Sequence, residues 1–371
     1  MKKYPVFSPI IGENEKKYIN DCLDTNWVSQ GKYVAKFEES FSRFCECKFG
    51  VATANCTTAL HLSCIALGLK EGDQVLVSSS TNMASAFSIK YTGAEPVPVD
   101  IKRTNWQMNP DLIEPLINPS TKAIMVVHLF GHPVDMDPII KLAKKYNLKI
   151  IEDCAEAHGV KYKNKIVGSI GDVACFSFYS NKIITTGEGG MVVTNSETIA
   201  QTVRDYGNFC YGKEQKFMHG GIGFNYRMPN VSAAMGLGQL ERIDEIFEKR
   251  QWIYDKYLSN LSDIRGLHIP IIEEWADTRM WMFNVHISNE FGITRNELIR
   301  KLGECGIEVR EAFVPVNKQK VLIKEGFVSE NDCPEANYIM DHGFYLPSGL
   351  DLNEEDIKFI SSKVKEFSLR T

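Results

Sequence analysis

The sequence predicts an α/β protein, with a mainly parallel sheet in a large first domain and a smaller α+β domain at the C-terminal end. Three observations predict it. Between residues 49 and 194, short apolar runs alternate with helix-length segments, the pattern of strands buried on both faces and joined by right-handed crossovers. One long helical pattern, about 231–260, then leads away from that region. Beyond it the apolar runs are fewer and mixed with helices, without the regular alternation.

Taken in order, the runs 50–54, 74–79, 96–99, 123–130, 148–152, 173–178 and 191–193 read as strands. Segments 57–67, 82–91, 110–117 and 136–146 read as helices between them. In 231–260, Leu237, Leu240, Ile243 and Ile246 fall at helical spacing, so this segment bridges two expected domains, 1–245 and 246–371. A strand at 281–287, a helix at 295–305, a short strand at 307–310 and a final helix at 353–367 complete the smaller unit. No internal repeat or low-complexity segment points to a solenoid.

Composition narrows the function. With 371 residues, 44% of them hydrophobic and 24% charged, the chain can bury a large core, which excludes disordered and fibrous classes. The net charge of -5 and the lack of basic runs argue against nucleic acid or an anionic membrane as partner, and favour a small molecule. The first residues lack the apolar core of a signal peptide, and no apolar run reaches membrane-spanning length, so a cytoplasmic location is expected. The ten cysteines lack paired metal-ligand spacing; Cys45 and Cys47 are two apart with no matching pair after them, so no metal site is expected.

The chemistry concentrates between Phe176 and Gly190, where Lys182 stands between an apolar strand and a glycine-rich turn. An amine partly desolvated by Phe176, Phe178 and Tyr179 gains nucleophilic character and suits Schiff-base formation. Asp153 lies at the carboxyl end of the run 148–152, where open parallel sheets bind ligands, and Glu156 follows three residues later. Taken alone, Asp153 could equally cap a helix. Pyridoxal phosphate chemistry requires a lysine for the aldehyde and an acid at the ring nitrogen, and this pair supplies both. A phosphate cradle is available where a strand runs into a helix at Asn55, with Cys56 and Thr57 as contacts at the helix N-terminus and Ser177 adding a hydroxyl. Plain capping and a buried strand serine are the alternatives for these residues.

The segments 26–32, 58–62, 131–137, 151–157, 176–190 and Gly223-Phe224-Asn225-Tyr226-Arg227-Met228 together resemble the DegT/DnrJ/EryC1/StrS family, aminotransferases of the type I pyridoxal phosphate fold that act on keto sugars attached to nucleotides. The resemblance spans nearly the whole chain. It implies pyridoxal 5'-phosphate as cofactor, with Lys182 as the Schiff-base lysine and acid/base, Asp153 at the ring nitrogen and Glu156 beside the ring hydroxyl. Cys56, Thr57 and Ser177 stand at the family's phosphate positions. Asn225 matches an asparagine that reaches the phosphate of a neighbouring subunit, which implies a homodimer with shared sites. Arg227, able to grip the carboxylate of a glutamate donor in bidentate fashion, His219 in the same loop region and Arg310 are substrate candidates; surface ion pairs are the alternative for Arg227 and His219.

Lysine at 182 implies amino transfer, where relatives with histidine resemble sugar dehydratases. The lysine loop resembles the subgroup that aminates C4 of GDP-4-keto-6-deoxymannose, for surface polysaccharide. Two departures keep the acceptor open. Asn82 replaces the aromatic residue that commonly stacks on the cofactor ring, and reads either as a ligand contact or as a helix N-cap. Cys56 replaces a small residue at the phosphate loop. A smaller phosphorylated ketone is therefore the alternative acceptor, and a cofactor-binding regulator without turnover is the alternative class.

Overall fold

The computed structural model describes residues 2–212, 215 and 217–368. Two helices, α1 (Glu13–Asp24) and α2 (Lys32–Phe44), precede the first strand, β1 (Phe49–Thr53). There follow α3 (Cys56–Ala66), β2 (Gln74–Ser78), α4 (Ala84–Lys90), β3 (Glu95–Val99), β4 (Thr121–Val127), α5 (Met136–Tyr146) and β5 (Lys149–Asp153). A small hairpin, β6 (Lys161–Tyr162) and β7 (Lys165–Ile166), leads to β8 (Val173–Ser177), β9 (Gly190–Thr194) and α6 (Glu197–Gly207).

These strands form a seven-stranded sheet in the order β1-β9-β8-β5-β4-β2-β3, parallel except for β9, which runs against both neighbours. Its strands are apolar on both faces because helices cover both. β3 carries Pro96 and Pro98 and lies at the sheet edge, where a missing N–H leaves no ladder bond unmade. On one side α2 projects Tyr33, Phe37 and Phe41 at four-residue spacing; Phe41 meets Phe176 and Phe178, each with ring centroids 5.0 Å away. The other face packs on α3, whose Leu60, Leu62 and Cys64 are buried.

Two more helices, α7 (Asn230–Leu240) and α8 (Ile243–Leu261), lead to β10 (Leu267–His268), β11 (Ala276–Asp277), β12 (Phe283–Ile287), α9 (Arg295–Glu304) and β13 (Arg310–Glu311). The chain ends through α10 (Lys320–Lys324), α11 (Pro334–His342), β14 (Gly343–Leu346) and α12 (Glu354–Ser368). A second, antiparallel sheet has the order β10-β12-β14-β13, and β11 joins the β6–β7 hairpin. Ile253, Tyr257 and Leu261 of α8 form a core with Val285, Ile287, Ile357 and Ile360 over the antiparallel sheet.

The α/β class with a mainly parallel sheet stands, and local differences have local causes. Segment 110–117 is not a helix but two 3-10 turns, Pro110–Leu112 and Glu114–Leu116, because Pro110 and Pro115 lack the N–H a longer helix needs. The long pattern 231–260 divides between α7 and α8 at Arg242 (φ -118°, ψ 26°), whose guanidinium turns toward the fully buried Glu15, 3.7 Å away. The run 123–130 stops at Val127, since Phe130 adopts a left-handed φ of 53°.

Candidate active site

Asp153 ends β5 in the middle of the parallel sheet and is only 3% exposed. Its Oδ2 accepts the Ser85 hydroxyl at 2.7 Å and its Oδ1 accepts the Ala155 N–H at 3.1 Å. Burial raises the pKa of this carboxyl, and the Ser85 hydroxyl is the first of the groups that oppose the rise. Glu156, also buried, accepts the Phe130 N–H at 3.0 Å and the Lys182 ammonium at 3.1 Å. Burial pushes the Glu156 carboxyl up as well, with Lys182 pulling it back. The turn that aims the Phe130 N–H continues through Gly131 at φ 80°, where a Cβ would stand 1.8 Å from the Arg279 carbonyl oxygen. Glycine is required there.

Lys182 lies in the loop between β8 and β9. The loop is pinned to itself by the Lys182 N–H on the Tyr179 carbonyl and the Thr186 N–H on the Phe178 carbonyl, both 2.9 Å. It is pinned from the C-terminal side as well. Trp281 Nε1 donates to the Asn181 carbonyl at 2.7 Å, and Arg250 Nη2 donates to the Lys182 carbonyl at 3.3 Å. The amine sits 3.9 Å over the centre of the Trp281 ring, and the lysine side chain is 11% exposed, so it reaches the cavity while most of it is covered.

The third component is the start of α3. Asn55 and Thr58 form a reciprocal cap, with the Thr58 N–H on Asn55 Oδ1 at 2.9 Å and the Asn55 N–H on Thr58 Oγ1 at 3.2 Å. This leaves the N–H groups of Cys56 and Thr57 at the positive end of the helix with no protein acceptor among the described residues. β9 approaches closely, since a Cβ on Gly190 would be 2.4 Å from the Asn55 carbonyl oxygen. Ser177 Oγ accepts the Tyr179 N–H at 3.3 Å and keeps its own hydrogen to donate.

One cavity of about 310 Å³ joins these components. Asp153, Glu156, Ser177, Lys182, Cys56 and Thr57 all line it, with Asn82 and Arg310 completing the set. Asn82 is exposed, and its Oδ1 accepts the Ala84 N–H at 3.0 Å from one residue before Met83, the N-cap of α4. Three candidates stand apart. Asn225 Oδ1 accepts Arg227 Nε at 2.9 Å, Arg227 Nη1 donates to Asn208 at 3.0 Å, and Arg227 lines a separate cleft of about 240 Å³. His219 is exposed and Nδ1 is 2.7 Å from the Phe209 carbonyl oxygen. Sequence reasoning missed Trp281, Ser85 and Tyr345. Tyr345 also lines the cavity, its phenol pushed up to about 12 by burial with Arg310 opposing. Their places come from long-range packing, and only the polar run Ser78-Ser79-Ser80-Thr81 before Ser85 gave a local sign of a buried polar lining.

Comparison with known proteins gives this geometry its context. A model of the DegT/DnrJ/EryC1/StrS aminotransferase family matches residues 9–365. The chain belongs to this family. A protein of Escherichia coli O157:H7 named GDP-perosamine synthase is 41% identical over 368 residues, 99% of each chain. One of the same name from Caulobacter vibrioides is 39% identical over 96% of each. Among solved structures, DesV of S. venezuelae superposes with a TM-score of 0.90 at 31% identity, over 98% of this chain and 100% of that one. Spr1654 of Streptococcus pneumoniae in its PLP form superposes with a TM-score of 0.91 at 25% identity, over 99% and 98%. The protein is a pyridoxal 5'-phosphate-dependent aminotransferase with the type I fold.

The residues fit that cofactor. Two unpartnered N–H groups at a helix start suit a phosphate, a buried carboxylate lies at the end of a central strand, and an amine projects into the same cavity. Among the described residues no helix is long and apolar enough to cross a membrane.

Proposed function

We propose that the protein moves the amino group of glutamate onto the keto group of a nucleotide-linked sugar of the GDP-4-keto-6-deoxymannose type, for surface polysaccharide. The relatives named GDP-perosamine synthase, 37–41% identical over nearly the whole chain, support the acceptor class. The observation that carries the reading is the Lys182 amine, held in one cavity with Glu156 at 3.1 Å and with Asp153 and the start of α3.

When bound, pyridoxal phosphate supplies an aldehyde that condenses with amines and a protonated ring that accepts the electron pair freed at the neighbouring carbon. Lys182 is the amine that would hold the aldehyde, and its Nζ, in the same cavity, would serve as the acid and base that moves a proton. Asp153 would face the ring nitrogen and favour its protonated form, as a carboxylate does for any cation it can pair with. Glu156, which accepts the Lys182 amine at 3.1 Å, would lie beside the ring hydroxyl. The Cys56 and Thr57 N–H groups and the Ser177 hydroxyl would hold the phosphate. Trp281 covers one side of the amine, its ring centre 3.9 Å away.

Arg310 is an exposed guanidinium lining the cavity, so it is assigned the donor carboxylate. Asn225, Arg227 and His219 are assigned to the site of a second subunit in a homodimer. Exposed Phe217, Met218 and Ile222 in the same segment support a covered surface there.

The test is product mass after incubation with glutamate and GDP-4-keto-6-deoxymannose. A mass matching the amino sugar is expected from the wild type and none from Lys182→Ala. If that ketone is inert while a small ketose phosphate is aminated, the acceptor assignment is wrong.

A further inference from the structure

Asp153 is placed where an acid must be ionised, in a setting that disfavours ionisation. The carboxyl is buried, and an unassisted buried carboxylate takes up a proton instead of staying charged. Two donors reach it from the protein, the Ala155 N–H and the Ser85 hydroxyl. Behind Ser85 stands Thr81, whose Oγ1 lies 2.7 Å from Ser85 Oγ. Ser85 and Thr81 are 0% and 1% exposed, so the polarity of both hydroxyls is directed within the protein.

A hydroxyl carries one hydrogen. If Ser85 gives its hydrogen to Asp153, it can engage Thr81 only as an acceptor, so Thr81 donates to Ser85 and Ser85 donates to the carboxylate. The chain then points one way, and each bond polarises the next toward the charge. A protonated Asp153 Oδ2 facing Ser85 would break that order. The run of buried hydroxyl residues from Ser78 to Thr81, entering α4, exists at the carboxyl end of β2, close to the end of β5 where Asp153 lies.

We propose that Ser85, backed by Thr81, is a positioning residue that keeps Asp153 ionised and aimed at the ring nitrogen of the bound cofactor. The proposal rests on the reading of Asp153 as the ring acid. It acts through Asp153, with no contact to the reacting carbons. The other groups that face the Asp153 charge are Lys182, His128, Glu156 and the thiols of Cys56, Cys154 and Cys175. None of these is altered by changing Ser85 or Thr81.

The experiment compares wild type, Ser85→Ala, Thr81→Val and Thr81→Ser, each reconstituted with pyridoxal phosphate. Two readouts are taken, the cofactor dissociation constant and the pH midpoint of its long-wavelength absorbance. Loss of a hydrogen bond to a charged group predicts that Ser85→Ala weakens cofactor binding about tenfold. The absorbance midpoint moves upward by about one pH unit, since a ring that loses positive charge makes the nitrogen conjugated to it more basic. Thr81→Val shifts both in the same direction by less, and Thr81→Ser, which keeps the hydroxyl, matches wild type. Wild-type binding and midpoint in both Ser85→Ala and Thr81→Val overturn the proposal. If Ser85→Ala does not fold, the contrast between Thr81→Val and Thr81→Ser decides. Borohydride fixation and peptide mapping on the wild type tests the underlying site separately, because cofactor on a lysine other than Lys182 refutes the site while leaving the variant comparison intact.

Discussion

Replacing Glu152 by glutamine should cost the cofactor-free protein about 2–6 kcal/mol, a large share of a typical domain's stability. Glu152 neighbours Asp153 on β5 but points to the opposite side, and it is fully buried. Its Oε1 accepts the N–H groups of Ile170 at 2.9 Å and Gly171 at 2.6 Å. Its Oε2 accepts the Gly168 N–H at 2.9 Å and lies 3.0 Å from His128 Nε2. The histidine must donate there, because its Nδ1 accepts the Val134 N–H at 3.0 Å. Four donors therefore converge on two oxygens, which only a carboxylate can satisfy. Glutamine turns an NH2 toward one pair of donors whichever way it rotates, leaving two buried or half-buried N–H groups without an acceptor at about 1–3 kcal/mol each. Urea unfolding of the cofactor-free protein, followed by circular dichroism at neutral pH, measures the loss without stabilisation from bound ligand. A loss below about 1 kcal/mol would refute the donor count and the histidine tautomer on which it depends.

Three further outcomes are expected. Lys182→Ala should lower amino transfer by at least about 10²–10⁴-fold, the range for a lost general base, read from initial rates. Gly190→Ala should destabilise the protein by about 1–3 kcal/mol and weaken cofactor binding, since its methyl would press on the Asn55 carbonyl at the start of α3; thermal unfolding and cofactor titration check this. In the cofactor-free protein, burial raises the Asp153 pKa above the ordinary 3.8 and the Ser85 hydroxyl only partly opposes the rise, so the folded chain binds this proton more tightly than the unfolded chain does. Its contribution to stability accordingly falls as pH rises above that value, and Asp153→Asn should flatten the slope of unfolding free energy against pH on the alkaline side of 3.8.

The parallel sheet was legible because strands covered on both faces leave continuous apolar runs, and the residues lining the cavity were legible where they cluster in sequence, as at Asp153–Glu156 and Ser177–Lys182. Contacts made across the fold were not. Trp281 lies about a hundred residues from the amine it covers, and nothing beside it in sequence differs from an ordinary core tryptophan. Helix α1 was not legible because its apolar residues are few among many charges, whereas α2 carries a plain stripe, Tyr33, Phe37 and Phe41, outside the alternating region that drew the reading. The division between α7 and α8 depends on Arg242 meeting Glu15, a pairing across more than two hundred residues. Asn82 was legible as a choice of two roles, and it both accepts the Ala84 N–H at 3.0 Å and lines the cavity.

The anchoring of the Lys182 loop has a mechanical consequence. The carbonyls of Asn181 and Lys182 are held by Trp281 and Arg250, which approach from the C-terminal side and not from the parallel sheet. Arg250 also grips the Trp281 carbonyl at 2.5 Å, so the two anchors form a single latch. Any swing of that side that widens the cavity must pull on the amine's own backbone or let it go. Access for a bulky acceptor and alignment of the amine are thus one coordinate of motion, and a looser latch would trade accuracy of proton delivery for speed of exchange.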